Sequence, residues 1–96
     1  MFEFDLSSDL RDCLKRLAKK DKPLHEALKK KIREIVSRDA ETIDAYKNLN
    51  APFNEFKRVH VGSFVLVFRV YKEKNFVFFR SFKHHDEAYK QRGFKE

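Results

Sequence analysis

Residues 55–61, 64–71 and 76–82 form three strand-length runs of alternating character, divided by Gly62-Ser63 and by Lys72-Glu73-Lys74-Asn75. Dividers this short are hairpin turns, so the runs are expected to pair in order as an antiparallel meander. Upstream, Phe2, Phe4 and Leu6 alternate with Glu3 and Asp5, the period of a short strand. Ser7 or Ser8 then caps a helix carrying Leu10, Cys13 or Leu14, Leu17 and Ala18, with Asp9 in its first turn. Pro23 suits the first turn of a second helix whose apolar stripe is Leu24, Leu28, Ile32, Ile35 and Val36. Residues 37–54 predict a short third helical turn, with Ile43, Tyr46 and Leu49 at helical spacing, and then a loop at Asn50-Ala51-Pro52. The expected fold is α+β: two to three N-terminal helices packed on one face of a twisted, mainly antiparallel four-stranded sheet. With 96 residues the chain is expected to be one domain, 1–96, which excludes a multi-domain enzyme.

Charge and aromatic content are unevenly shared. The net charge of +7 is a strong basic bias that favours a polyanionic partner such as nucleic acid. Nine of the eleven Phe and three of the four His lie in residues 51–96, where ten Lys/Arg stand against five Asp/Glu. The run Lys29-Lys30-Lys31 fits a solvated helix face better than a dedicated patch. Nothing approaches the ~20 apolar residues of a membrane span, and the start Met1-Phe2-Glu3-Phe4-Asp5 does not resemble a secretion signal, so a cytoplasmic protein is expected. The single Cys13 excludes an internal disulfide and reads as a packed thiol.

Alternation sorts the strands into faces. Phe56, Arg58 and His60 share one face of their strand, and Lys57, Val59 and Val61 the other, with the valines marking the side under the helices. Both faces of residues 64–71 are apolar apart from Arg69, as befits a central strand. In the last strand Phe76, Phe78, Arg80 and Phe82 are expected opposite Val77, Phe79 and Ser81. Aromatics interleaved with cations suit base stacking, core packing or a hydrophobic partner. Two short helices are expected to leave part of this sheet for a partner to cover.

Lys83-His84-His85-Asp86-Glu87-Ala88-Tyr89-Lys90 concentrates polar chemistry. Adjacent histidines in an extended segment point apart, and no further ligands stand at a zinc spacing, so a metal site is not expected. Acid/base work by His, with Lys, Arg and Tyr nearby to hold phosphate, fits better, and a polar tail pairing with Asp86 fits the composition as well.

Tyr46-Lys47-Asn48-Leu49, Phe56-Lys57-Arg58-Val59-His60-Val61, Phe64-Val65-Leu66-Val67-Phe68 and His84-His85-Asp86-Glu87-Ala88-Tyr89, in this order and spacing, resemble the RelE/ParE superfamily of type II toxin–antitoxin toxins, nearest its YafQ-like branch. The resemblance implies a metal-independent endoribonuclease, without cofactor, that cuts mRNA in the ribosomal A site and is inhibited by a cognate antitoxin. It places His60 and His85 as the catalytic acid/base pair and Tyr89 as the aromatic near the scissile phosphate. Arg58 and Lys83 are the candidate phosphate clamps, with Lys57, His84, Arg80 and Lys47 as further RNA contacts. The chain departs from the pattern at Val65, where many relatives carry Arg, at Ser63, where the YafQ-like branch carries Asp, and at Leu49, where it carries His. A binding toxin without chemistry, such as a ParE-like inhibitor of DNA gyrase, is the alternative on the same fold.

Overall fold

The computed structural model describes residues 1–90, with side chains as far as Glu87. Strand β1 (Glu3–Leu6) leads into helix α1 (Ser8–Lys20) and helix α2 (Lys22–Val36). A 3₁₀ turn (Thr42–Ala45) and the two-residue strand β2 (Lys47–Asn48) follow. The meander is β3 (Phe56–Val61), β4 (Phe64–Tyr71) and β5 (Phe76–His84), after which helix α3 runs over His85–Lys90.

The local causes are visible. Ser7 caps α1 by accepting from the Leu10 N–H at 3.1 Å, and its hydroxyl donates to the Arg80 carbonyl at 2.6 Å, tying the helix start to β5. Asp21 ends α1 by donating its N–H to the Leu17 carbonyl and caps α2 through its carboxylate, with Pro23 in the first turn of α2. Gly62 supplies the positive φ of 61° that the turn from β3 to β4 requires.

The described strands form one five-stranded sheet in the order β1-β5-β4-β3-β2. The expected α+β fold is therefore present, with two differences. β2 adds a strand antiparallel to β3, and β1 pairs with β5 in parallel, so the sheet is mixed. Tyr46 and Leu49 consequently lie outside the helical turn.

The helices cover one face. Leu10, Cys13, Leu28, Ile32, Ile35 and Val36 bury against Val61, Leu66, Phe68, Val77, Phe79 and Phe82. Phe82 is a correction to simple alternation. A bulge sets Phe68 opposite Phe79 but Val67 opposite Ser81, which inserts Arg80 as an extra residue and returns Phe82 to the helix side. The opposite face has its own small cluster, in which Leu49, Phe53 and Phe56 pack on Val65 and Val67. Most of the apolar surface expected to await a partner is thus covered by the chain's own 49–56 segment. Among the described residues, the exposed large apolar side chains are Met1 and Phe4.

Candidate active site on the open face of the sheet

Across the face opposite the helices, register places the polar residues in rows. Lys47 pairs with Arg58, Arg58 with Val67 and Val67 with Ser81; one row along, His60 pairs with Val65 and Val65 with Lys83. Paired residues lie on the same side of a sheet, and strands stand about 4.8 Å apart, so His60 and Lys83 flank the buried Val65 at backbone separations of roughly 10 Å. Val65 and Val67 are the floor, almost wholly buried, and the 49–56 segment is the wall.

His85 enters from the other direction. Its backbone N–H donates to the Ser63 carbonyl at 2.9 Å, which fixes the start of α3 over the β3–β4 turn. The imidazoles of His60 and His85 come within 6.3 Å, centre to centre, although 25 positions separate them in sequence. Both are exposed. His84, the last residue of β5, lies edge-on to Phe64 at 5.4 Å, and Phe64 stacks on Phe82 at 5.1 Å. The chain turns from strand to helix between His84 and His85, so the two rings do not point apart as an extended segment would require; their centres are 6.1 Å apart. Asp86 stands between them, its carboxylate 3.3 Å from His85 Nδ1 and 3.9 Å from His84 Nδ1.

Three sequence candidates go elsewhere. Lys83 shares a row with His60 by register, but its side chain lies at the edge of β5 beside α1, lining a cavity with Asp9, Asp12, Cys13 and Arg16. Lys57 lies on the helix side of β3, 7% exposed, where its ammonium donates to the Tyr46 carbonyl at 3.2 Å and Asn48 Oδ1 at 3.0 Å and faces the Asp44 carboxylate at 3.5 Å. It fastens the segment from Asp44 to Asn48 onto β3, and its charge does not reach the open face. Arg80 occupies the bulge, half-buried, outside the rows that hold Arg58 and His60. The side chain of Tyr89 lies outside the described residues.

Tyr46 is a supporting residue. Its hydroxyl donates to Glu34 at 3.1 Å and accepts from Arg38 Nε at 2.9 Å, which anchors the approach to β2 against α2. Burial, aided by the neighbouring Glu34 carboxylate, holds the phenol above its ordinary range. Burial tends to raise Glu34 in turn, but hydrogen bonds from Lys31 and Tyr46 and the charges of Lys31 and Arg38 outweigh it and hold the carboxyl below its usual range.

The arrangement therefore offers two imidazoles side by side, with Arg58 and Lys47 supplying positive charge around a shallow apolar floor. The sequence reading missed the wall of Leu49 and Phe53, for which the apolar residues on both sides of Pro52 were the available signal. The pairing of the histidines with Asp86, one of the two readings of that stretch, is present.

These features define a basic α+β domain with an imidazole-bearing open face. A model of the ParE toxin of type II toxin–antitoxin systems, parDE, matches residues 5–89. A Methanocaldococcus jannaschii protein with the provisional name toxin RelE4 is 42% identical over 93 residues, 96% of this chain and 95% of its own. An uncharacterized Methanosarcina mazei protein is 39% identical over 90 residues, 93% of this chain and 100% of its own. The crystal structure of the isolated E. coli RelE toxin superposes with a TM-score of 0.62 at 25% identity, over 95% of this chain and 98% of that one. RelE in the intact E. coli RelBE toxin–antitoxin complex gives 0.62 at 26%, over 88% and 96%. The chain belongs to the RelE/ParE superfamily of type II toxin–antitoxin toxins.

Proposed function

We propose that this toxin is a cytoplasmic, ribosome-dependent and metal-independent endoribonuclease that cleaves mRNA in the ribosomal A site and is held inactive by a cognate antitoxin. The observation that carries the reading is the meeting of His60 and His85, from distant parts of the chain, on the face that also bears Arg58 and Lys47. The relatives add to it: the solved neighbours include RelE alone and RelE within the RelBE complex, the precedent for an antitoxin partner.

The chemistry follows from proton bookkeeping. One imidazole takes the proton of a ribose 2′-OH, and that oxygen forms a bond to the adjacent phosphorus. The P–O5′ bond breaks, the second imidazole protonates the departing 5′-oxygen, and the products are a 2′,3′-cyclic phosphate and a free 5′-hydroxyl. Arg58 stabilises the charge gathering on the phosphoryl oxygens, and Lys47 draws the backbone toward the site. Ring centres 6.3 Å apart set the two imidazoles side by side at one point of the face, where both can reach the same ribose-phosphate unit. Tyr89 is assigned beside the phosphate by the family resemblance. A shallow, exposed site orients RNA poorly by itself, so the ribosome supplies the bend that brings the 2′-OH in line with phosphorus.

Translation of a reporter mRNA in a ribosome-containing extract, with and without the protein, tests the reading. The account expects loss of reporter synthesis that His60→Ala and His85→Ala each relieve while retaining the native circular-dichroism spectrum. Undiminished inhibition by the double variant, or inhibition of DNA gyrase in its place, overturns it.

A further inference from the structure

The junction of β5 and α3 holds a second chemistry that the proton-transfer scheme leaves unused. One ligand atom from each of His84, His85 and Asp86 lies within 4.8 Å of the others. All three side chains are about half exposed or more, at 46%, 52% and 69%. The Asp86 N–H donates to His84 Nδ1 at 3.2 Å, so that nitrogen is unprotonated, and ligation through it would replace this hydrogen bond. His60 adds a third imidazole 6.3 Å from His85. Three imidazoles and a carboxylate are a complete donor set for a tetrahedral d-block cation.

We propose that His60, His84, His85 and Asp86 bind one divalent transition-metal ion, with zinc the representative, and that occupancy withdraws both imidazoles from proton transfer and silences the toxin. The binding half stands on the geometry alone; the silencing half rests on the ribonuclease reading given above. Metal–nitrogen bonds of about 2.0–2.1 Å bring ligand atoms of a tetrahedral site to roughly 3.4 Å from one another. Closure of His84, His85 and Asp86 from separations of up to 4.8 Å takes about 1.4 Å. His60, whose ring centre stands 6.3 Å from that of His85, completes the set by swinging inward. These movements are available to exposed imidazoles turning about their side-chain torsions. Asp86 is suited to the site because its carboxylate already stands between the two rings and offsets the charge of the cation in a basic surface. A bound ion would occupy the lone pairs of His60 and His85, so neither ring could accept the 2′-OH proton. The ion is thus an inhibitor of a reaction that does not use it. The class of effector is a free or loosely buffered d-block cation, and hard cations such as magnesium, which prefer an all-oxygen shell, would not compete.

The test uses the full chain prepared without a polyhistidine tag. Zinc chloride is titrated against a chromophoric chelator at fixed pH, with wild type, His84→Ala, Asp86→Asn and His60→Ala compared, and circular dichroism confirms that each variant is folded. The expected result is one equivalent of zinc, with each substitution weakening uptake at least about tenfold, the lower end of what loss of even an outer-shell partner costs. Equal zinc uptake by wild type and variants, or none by wild type, overturns the site. RNA cleavage on ribosomes is then followed with stoichiometric zinc and again after chelation. Cleavage that zinc suppresses and the chelator restores supports the silencing. Cleavage unaffected by a zinc ion shown to be bound overturns the silencing and leaves the site. Absence of cleavage under every condition tells against the ribonuclease reading, and the chelator titration still decides the binding site.

Discussion

Lys57→Met separates a structural lysine from an RNA-binding one. The Lys57 side chain is buried on the helix side of β3, and its ammonium donates to two oxygens, the Tyr46 carbonyl and Asn48 Oδ1. Hydrogen bonds from a charged donor contribute about 1.5–3 kcal/mol each when the partner is left unsatisfied on removal. Methionine keeps the length and apolar stem, and removing the ammonium relieves a desolvation cost that offsets part of that loss. The ion pair with Asp44 adds little, because that carboxylate is 54% exposed and keeps Lys72 as a partner. The net loss is about 1–2 kcal/mol, borne by the Tyr46 carbonyl and by β2. At about 4–8 °C per kcal/mol for a chain of this size, the thermal midpoint should fall by about 4–16 °C. Thermal denaturation by circular dichroism reads the shift, and cleavage measured well below the new midpoint should stay close to wild type. An unchanged midpoint together with lost cleavage would place Lys57 on the RNA and refute the reasoning.

Three further outcomes follow from the structure. Ser7→Ala removes both the α1 cap and the donor to the Arg80 carbonyl, and urea denaturation should show a loss of about 1–3 kcal/mol; no change would mean that the tie between α1 and β5 carries no energy. Burial pushes the Cys13 thiol up, with the charges of Arg16 and Lys83 partly opposing it, so alkylation by iodoacetamide at mildly alkaline pH should be far slower in the native protein than in denaturant, and equal rates would contradict that burial. The carboxyls of Glu34, Asp39 and Asp44 are held below their ordinary range, by the Lys31, Tyr46 and Arg38 contacts, by the Thr42 N–H and hydroxyl, and by Lys72 respectively. Depressed carboxyls contribute stability above their unfolded pKa values near about 4 and lose it as pH falls through the folded ones, so the midpoint should drop between about pH 5 and pH 2. A midpoint flat across that window would mean that these contacts do not persist in solution.

Much of the fold was legible because it rests on periodicity and turn chemistry. Alternation in residues 55–71 placed Arg58 and His60 away from the helices, and Gly62-Ser63 marked the turn that the structure closes with a positive φ. The same alternation set Lys57 beside Val59 and Val61, so its buried place was readable; charge alone suggested RNA. Misreadings occur where periodicity breaks without a residue-type signal. The bulge at Arg80 shifts every later side chain of β5 and carries Phe82 into the core. The end of β5 at His84 turns two histidines toward each other that a continued strand would splay. β2 is too short to show a period, and the cover supplied by Leu49 and Phe53 depends on a loop path that no spacing encodes. Pairing of His60 with His85 came from the family resemblance, because no local pattern links positions on β3 and α3.

The most direct measurement is a map of the 3′ ends of a short mRNA after incubation with the protein, on programmed ribosomes and as naked RNA, beside the His60→Ala/His85→Ala variant. The account predicts new ends bearing 2′,3′-cyclic phosphate on ribosomes, absent with the double variant. The same ends from the double variant, or none from the wild type, would contradict it and return both histidines to a structural role.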